Sequence, residues 1–175
     1  MREIVILCSN AITLAHNQKL KLAKTKIETA KKLLIKYRKK AKNNLFRYMI
    51  TAEQEFVEAD TLLSIIEGKE IKSQKQLDVY HDSYVLGLLD CIGELKRLTY
   101  DKIRCGNSIE AMKIFDIMEK LYSTLYPLTI YDKIIKEMRR KIDVNRILIE
   151  DTRSAITEEI RRTELIDSIR SIKTC

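Results

Sequence analysis

The sequence predicts an all-α fold: a single domain over residues 1–175, built as a bundle of about six long and short antiparallel helices. Three observations predict it. Only four Gly and one Pro punctuate the chain, which leaves few turn signals and favours long helices. Apolar residues recur at spacings of three and four over most of the length. Apolar residues make up 45% and charged residues 33%, enough to fill one core and too polar for a membrane protein.

In the first helix, from residue 2 to about 42, Ile4, Leu7, Cys8, Ala11, Leu14 and Ala15 recur at helical spacing. Leu20, Ala23, Ile27, Ala30, Leu34, Tyr37 and Ala41 continue as a narrow seam. A second helix covers about 44–67 and stops at Gly68. Ser73 caps a short helix to about 79. Another runs over about 82–104 and ends before "CGN"; Asn107 or Ser108 caps the next, which reaches about 125, ahead of Pro127. The last runs from about 130 towards 170, with a stripe of Ile135, Met138, Ile142, Ile149 and Ile156 that Asn145 and Thr152 interrupt. The second helix is apolar nearly all round, which predicts burial, in part by another subunit.

"IVILC" near the start is followed by Ser9 and Asn10 and by no cleavage pattern, so it reads as helix rather than signal peptide. No apolar run of about 18 residues predicts a membrane span. Cys8, Cys91, Cys105 and Cys175 form no metal-binding pattern with His16 and His81, which predicts a reduced, cytoplasmic protein.

The charge of +8 is uneven. Residues 19–42 hold eleven Lys or Arg and one acid, Glu28, a local +10 that leaves −2 for the rest. Such a stripe suits a polyanion, because neutralising phosphates releases counterions; a solvated helix face accounts for it equally well. Candidate nucleic-acid contacts are Lys19, Lys21, Lys24, Lys31, Lys32 and Arg38, with Arg139, Arg140 and Lys141 further on. Trp is absent and aromatics are 6%, so base-stacking platforms are few.

The acids carry more information. In "AEQEFVEADTLL", Glu55 and Glu58 share a helix face, while Glu53 and Asp60 point almost oppositely. On the helix "YVLGLLDCIGELKRLTYDKI", Asp90 and Glu94 are one turn apart on the polar face, and Gly87 gives that face room. If those faces pack together, four carboxylates converge and need protons, Arg97 or a divalent cation. An all-oxygen set without His suits Mg²⁺ or Mn²⁺. The same spacings also occur on solvated helices, where acids pair with Lys. Arg97, three residues after Glu94, is expected to pair with it.

"QEFVEA" (54–59), "YVLGLLDCIGELKR" (84–97) and "KIDVNRILIEDTRSAIT" (141–157), with "REIVILCSNAITLAHNQKL" at the start, together resemble the translin family. Within that family the segments resemble the archaeal members and translin-associated factor X. The resemblance implies an all-α subunit of a hollow homo-oligomer, a hexamer or octamer, that holds nucleic acid inside. It implies a Mg²⁺-dependent endoribonuclease acting on single-stranded RNA, with single-stranded DNA also bound. The glutamates of the family's QE-aromatic-VE motif fall on Glu55 and Glu58, and the acids of its D-x-x-G-E motif on Asp90 and Glu94, as catalytic and metal-binding residues. Family members usually carry more residues before the "REIV" segment, a departure that bears on how the shell closes. The rival reading is a shell that binds single strands without cleaving them.

Overall fold

A computed structural model of the chain describes residues 1–39 and 46–173. It is helical throughout, with no strand among the described residues. The helices are α1 (Arg2–His16), α2 (Leu20–Arg38), α3 (Phe46–Ile66), α4 (Gln74–Leu77), α5 (His81–Arg104), α6 (Ser108–Leu125) and α7 (Met138–Lys173). The predicted end of the first helix near 42 and start of the second near 44 lie outside the described residues.

The predicted first helix is two. The chain breaks at Asn17–Lys19, where Gln18 takes φ 59°. The Lys19 N–H donates to the Leu14 carbonyl at 2.9 Å and the Gln18 N–H to the Ala15 carbonyl at 3.0 Å. That is a Schellman turn, which caps the orphan carbonyls of α1 and lets α2 pack back on it. Gly68 and Gly106 close α3 and α5 with the same pair of bonds. Glycine announced those two turns; a glutamine in the left-handed region hid the first.

The last helix also starts later than predicted. Pro127 opens a 3-10 turn over Tyr126–Tyr131, and Glu137 at φ 68° precedes Met138. The predicted stripe is otherwise buried, and Asn145 and Thr152 belong to it. The Asn145 amide donates to the Leu89 carbonyl at 2.9 Å, tying α7 to the middle of α5.

Helix α5 is the central element: α3, α6 and α7 all pack on it, and α1 packs between α2 and α3. Phe56 and Val57 of α3 and Leu88, Ile92 and Leu95 of α5 are buried in the common core. Gly87 lets the backbones nearly touch, since a Cβ there would lie 2.5 Å from the Gln54 carbonyl oxygen and 2.7 Å from Val57 Cβ. Gly87→Ala is therefore expected to cost about 1–3 kcal/mol through overpacking, read as a lower urea midpoint with an unchanged m-value.

Candidate active site

The α3–α5 crossing sets Glu55 and Glu58 against Asp90 and Glu94, as the paired faces predict. Each acid is only partly exposed. Asp90 is held from both sides: Gln54 donates to Oδ2, and the Lys141 ammonium, from α7, donates to Oδ1. Glu94 accepts from His16 Nε2 at 2.6 Å, and Arg97 stands 3.9 Å away. The expected Arg97 pairing is thus long, and His16 is the close partner. His16 has only 3% of its side chain exposed, and its Nδ1 is buried without a hydrogen-bond partner, 4.0 Å from Asp101. Nε2 therefore carries the proton that Glu94 accepts.

The electrostatics follow from crowding. Burial, then repulsion from Asp90, Glu55 and Glu94, pushes the Glu58 carboxyl up to about 8, against the pull of Lys141. Burial and Asp90 raise Glu55 as well, again opposed by Lys141. Beneath them lie two buried thiols. Burial, then Glu55 and Glu58, pushes Cys8 up to about 12; burial foremost also raises Cys91 well above the usual thiol range. Both stay neutral and form part of the floor.

The donor set suits a hard divalent cation: all carboxylate, mutually repelling, and offset by one ammonium. Among the described residues, however, no three His, Cys, Asp or Glu side chains are gathered as a ready metal cage. As they stand, Asp90 is turned to Gln54 and Lys141, and Glu94 to His16.

The basic candidates divide. Lys141 is in the cluster. Arg140 lines the cleft beside it but pairs with Glu137 at 2.7 Å, and Arg139 is exposed. Lys19, Lys21, Lys24 and Lys32 are exposed and Lys31 half-buried on α2, which packs on α1 and α3. Among the described residues these five have no carboxylate within ion-pair distance. Arg38 instead serves the fold. It donates to Glu53 at 2.6 Å and to Asp78 at 2.5 Å, and the Tyr80 N–H donates to Glu53 at 2.8 Å. Glu53 is fully buried, and Asp60, also buried, pairs with Lys72 at 2.7 Å. These two acids are structural, as their opposite helix face implied.

Sequence reasoning missed His16 and Gln54. His16 continues the series Ile4, Cys8, Ile12 at steps of four, so its place on the buried face was available in the spacing. Gln54 lies next to Glu55 and carried no charge to draw attention.

The Translin family model matches residues 3–150. An uncharacterized protein of Methanocaldococcus jannaschii, MJ0175, is 35% identical over 127 residues, 72% of this chain. Those residues are 57% of that protein, so the chain spans little more than half of this curated relative. Among solved structures, that of AfC3PO is similar at 30% identity and TM-score 0.84, covering 92% of this chain and 86% of that one. A complex of AfC3PO with duplex RNA gives 29% and 0.83, with 92% and 85% covered. Apo-NeC3PO, at 24% and 0.76 over 89% and 83%, shares the fold.

Two outcomes test these assignments. Arg38→Met strands the buried Glu53 charge and is expected to cost about 3–5 kcal/mol in urea unfolding, much of it recovered in the Arg38→Met, Glu53→Leu double variant. The second concerns pH. Glu58 binds its proton more tightly when folded, about 8 against an ordinary 4.5, so without metal the fold is penalised progressively as pH rises through that window. In EDTA, Glu58→Gln should match the wild type below pH 4.5 and exceed it above pH 8 by up to about 5 kcal/mol, measured by urea midpoints across pH.

Proposed function

The chain belongs to the translin family, and on that premise we propose that it is a metal-dependent endoribonuclease cleaving single-stranded RNA inside a homo-oligomeric shell. Single-stranded DNA is a second ligand on this reading. The observation that carries it is the four-carboxylate cluster with too little positive charge to balance it. A partly buried Glu58 raised to about 8 is a costly feature for a purely structural helix pair. The duplex RNA bound to AfC3PO supports RNA as the ligand class.

Glu55, Glu58 and Asp90 would hold Mg²⁺ or Mn²⁺, with Glu94 beside them. When bound, the ion supplies Lewis-acid charge to a phosphate oxygen and acidifies water. The chain's own residues do the rest. Lys141 leaves Asp90 for a phosphate oxygen, a charge-assisted contact that orients the strand. Glu94, fixed by the His16 Nε2–H, takes the proton from the attacking water. The water oxygen bonds to phosphorus, one P–O ester bond breaks, and the leaving oxygen takes a proton from solvent, to which Glu94 returns the one it accepted. The exposed lysines of α2 attract the backbone without reading bases.

Self-association has support within the chain. Every described side chain from 161 to 172 is exposed, and Leu165, Ile166, Ile169 and Ile172 form one apolar stripe along α7 with no cover. Such a face needs a partner, and a second copy supplies one.

A second reading is a shell that binds without cutting. It is favoured by the satisfied state of Asp90, already bonded to Gln54 and Lys141.

Incubation of an end-labelled single-stranded RNA with Mg²⁺ or EDTA separates the two. Internal cuts are expected with Mg²⁺ only, falling at least about a hundredfold in Asp90→Asn and in Glu58→Gln. Wild-type rates in both variants would sink the site assignment. An intact but shifted RNA would leave the binding shell.

A further inference from the structure

Helix α5 carries two glycines on its polar side, and the fold uses only one of them. Gly87 is filled by α3, whose backbone sits where a side chain would be. Gly93 faces α7 with room to spare: among the described residues a Cβ there would meet only Leu148 Cδ1, at 4.0 Å, the outer edge of van der Waals contact. Glycine inside a helix weakens it. At position 93, unlike 87, no close approach among the described residues requires a glycine. The space it leaves is a cleft of about 210 Å³ between α5 and α7, opening directly beside the carboxylate cluster.

The cleft has two chemistries. Gly93, Val144 and Leu148 give an apolar surface, and Val144 is 44% exposed although it lies next to the buried Asn145. Asp90, Lys141 and Arg140 stand around it; the two cations are ion-paired, Lys141 to Asp90 and Arg140 to the exposed Glu137, and a phosphate would exchange for those carboxylates. An apolar slot with cations at its edge complements a nucleotide, which joins an anionic phosphate to a flat, largely apolar ring. A lone anion would have no use for the apolar wall, and an apolar ligand none for the cations.

We propose that this cleft is a nucleoside subsite: it takes the base of the nucleotide next to the phosphate held at the carboxylates, with Gly93 providing the room. The inference rests on the RNA-cleaving reading and adds to it where a base is held. Contact is through aliphatic side chains and a glycine backbone, with no aromatic platform. The subsite therefore senses that a base is present and is tolerant of which one.

The test compares two probes by fluorescence anisotropy in EDTA: a labelled oligouridylate of roughly 20 nucleotides, and a chain of equal length made of abasic ribose phosphates. The wild type should bind the oligouridylate about tenfold more tightly. Gly93→Leu, which fills the cleft, should lose most of that preference while keeping its affinity for the abasic chain, its melting temperature and its Mn²⁺ affinity. If Gly93→Leu melts below the wild type, Val144→Gln, on an exposed position, should show the same loss. A wild type that binds both probes equally overturns the subsite and leaves the nuclease reading standing, as does a cleft variant that keeps full base preference. A wild type that binds neither probe overturns both.

Discussion

The approach of α3 to α5 at Gly87 is the constraint on which the rest depends. Only a missing Cβ allows the Gln54 carbonyl to sit against α5. That contact fixes the rotation of both helices, and one turn further along it fixes which acids meet. Gln54 then reaches Asp90 with its amide, while its neighbours Glu55 and Glu58 project onto the same ground. Like charges oppose this arrangement. The core around them holds it, since each large apolar side chain buried there is worth roughly 1.5–3 kcal/mol, and Phe56 and Val57 of α3 and Ile92 and Leu95 of α5 are all inside. The crowding of charge is thus imposed by packing and does not arise from any attraction among the acids.

Helix α3 carries a second set of acids that makes the contrast plain. Glu53 and Asp60 are more deeply buried than Glu55 and Glu58, yet each has a close cation, Arg38 or Lys72. Paired in this way, a buried carboxylate is not left as an uncompensated charge. The other face has one close ammonium, Lys141, one imidazole, His16, and an exposed guanidinium, Arg97, at 3.9 Å for four carboxylates. Two faces of a single helix, with the same residue type, differ in whether the fold has supplied the counter-charge. That difference separates a structural acid from a candidate functional one more cleanly than burial does.

This contrast also explains what was legible in the sequence. Helical periodicity put Glu55 and Glu58 on one face and Glu53 and Asp60 on the other, and the spacing of Asp90 and Glu94 did the same on α5. Gly87 stood out as room for a close neighbour. The partners were not legible, because they come from far along the chain: Lys141 lies 51 residues from Asp90, and His16 lies 78 from Glu94. Arg38 looked like one more member of a basic run until Glu53 took it. The turn at Gln18 was invisible for another reason. The backbone there takes a conformation suited to glycine, but the residue is not glycine, so no composition signal marked it. Periodicity reports which face a residue lies on; it does not report which distant element covers that face.

Lys141 has a further consequence for energetics. It reaches Asp90 from α7, so the charge balance of the cluster is set only once the last helix has docked through Met138, Ile142 and Asn145. Even then the balance is incomplete: burial first, then repulsion from Asp90, Glu55 and Glu94, raises the Glu58 carboxyl against the pull of Lys141. A group held away from its preferred ionisation lowers the stability of the fold at neutral pH. The same free energy is available to any cation that relieves the repulsion, because binding to the folded state alone returns it as affinity. Filling the cluster with neutral side chains would give a more stable bundle with nothing left to attract a metal. If the cluster takes a metal as proposed, the imbalance is a reserve for binding, because the α3–α5 packing that crowds the acids also holds them where an ion would relieve the repulsion.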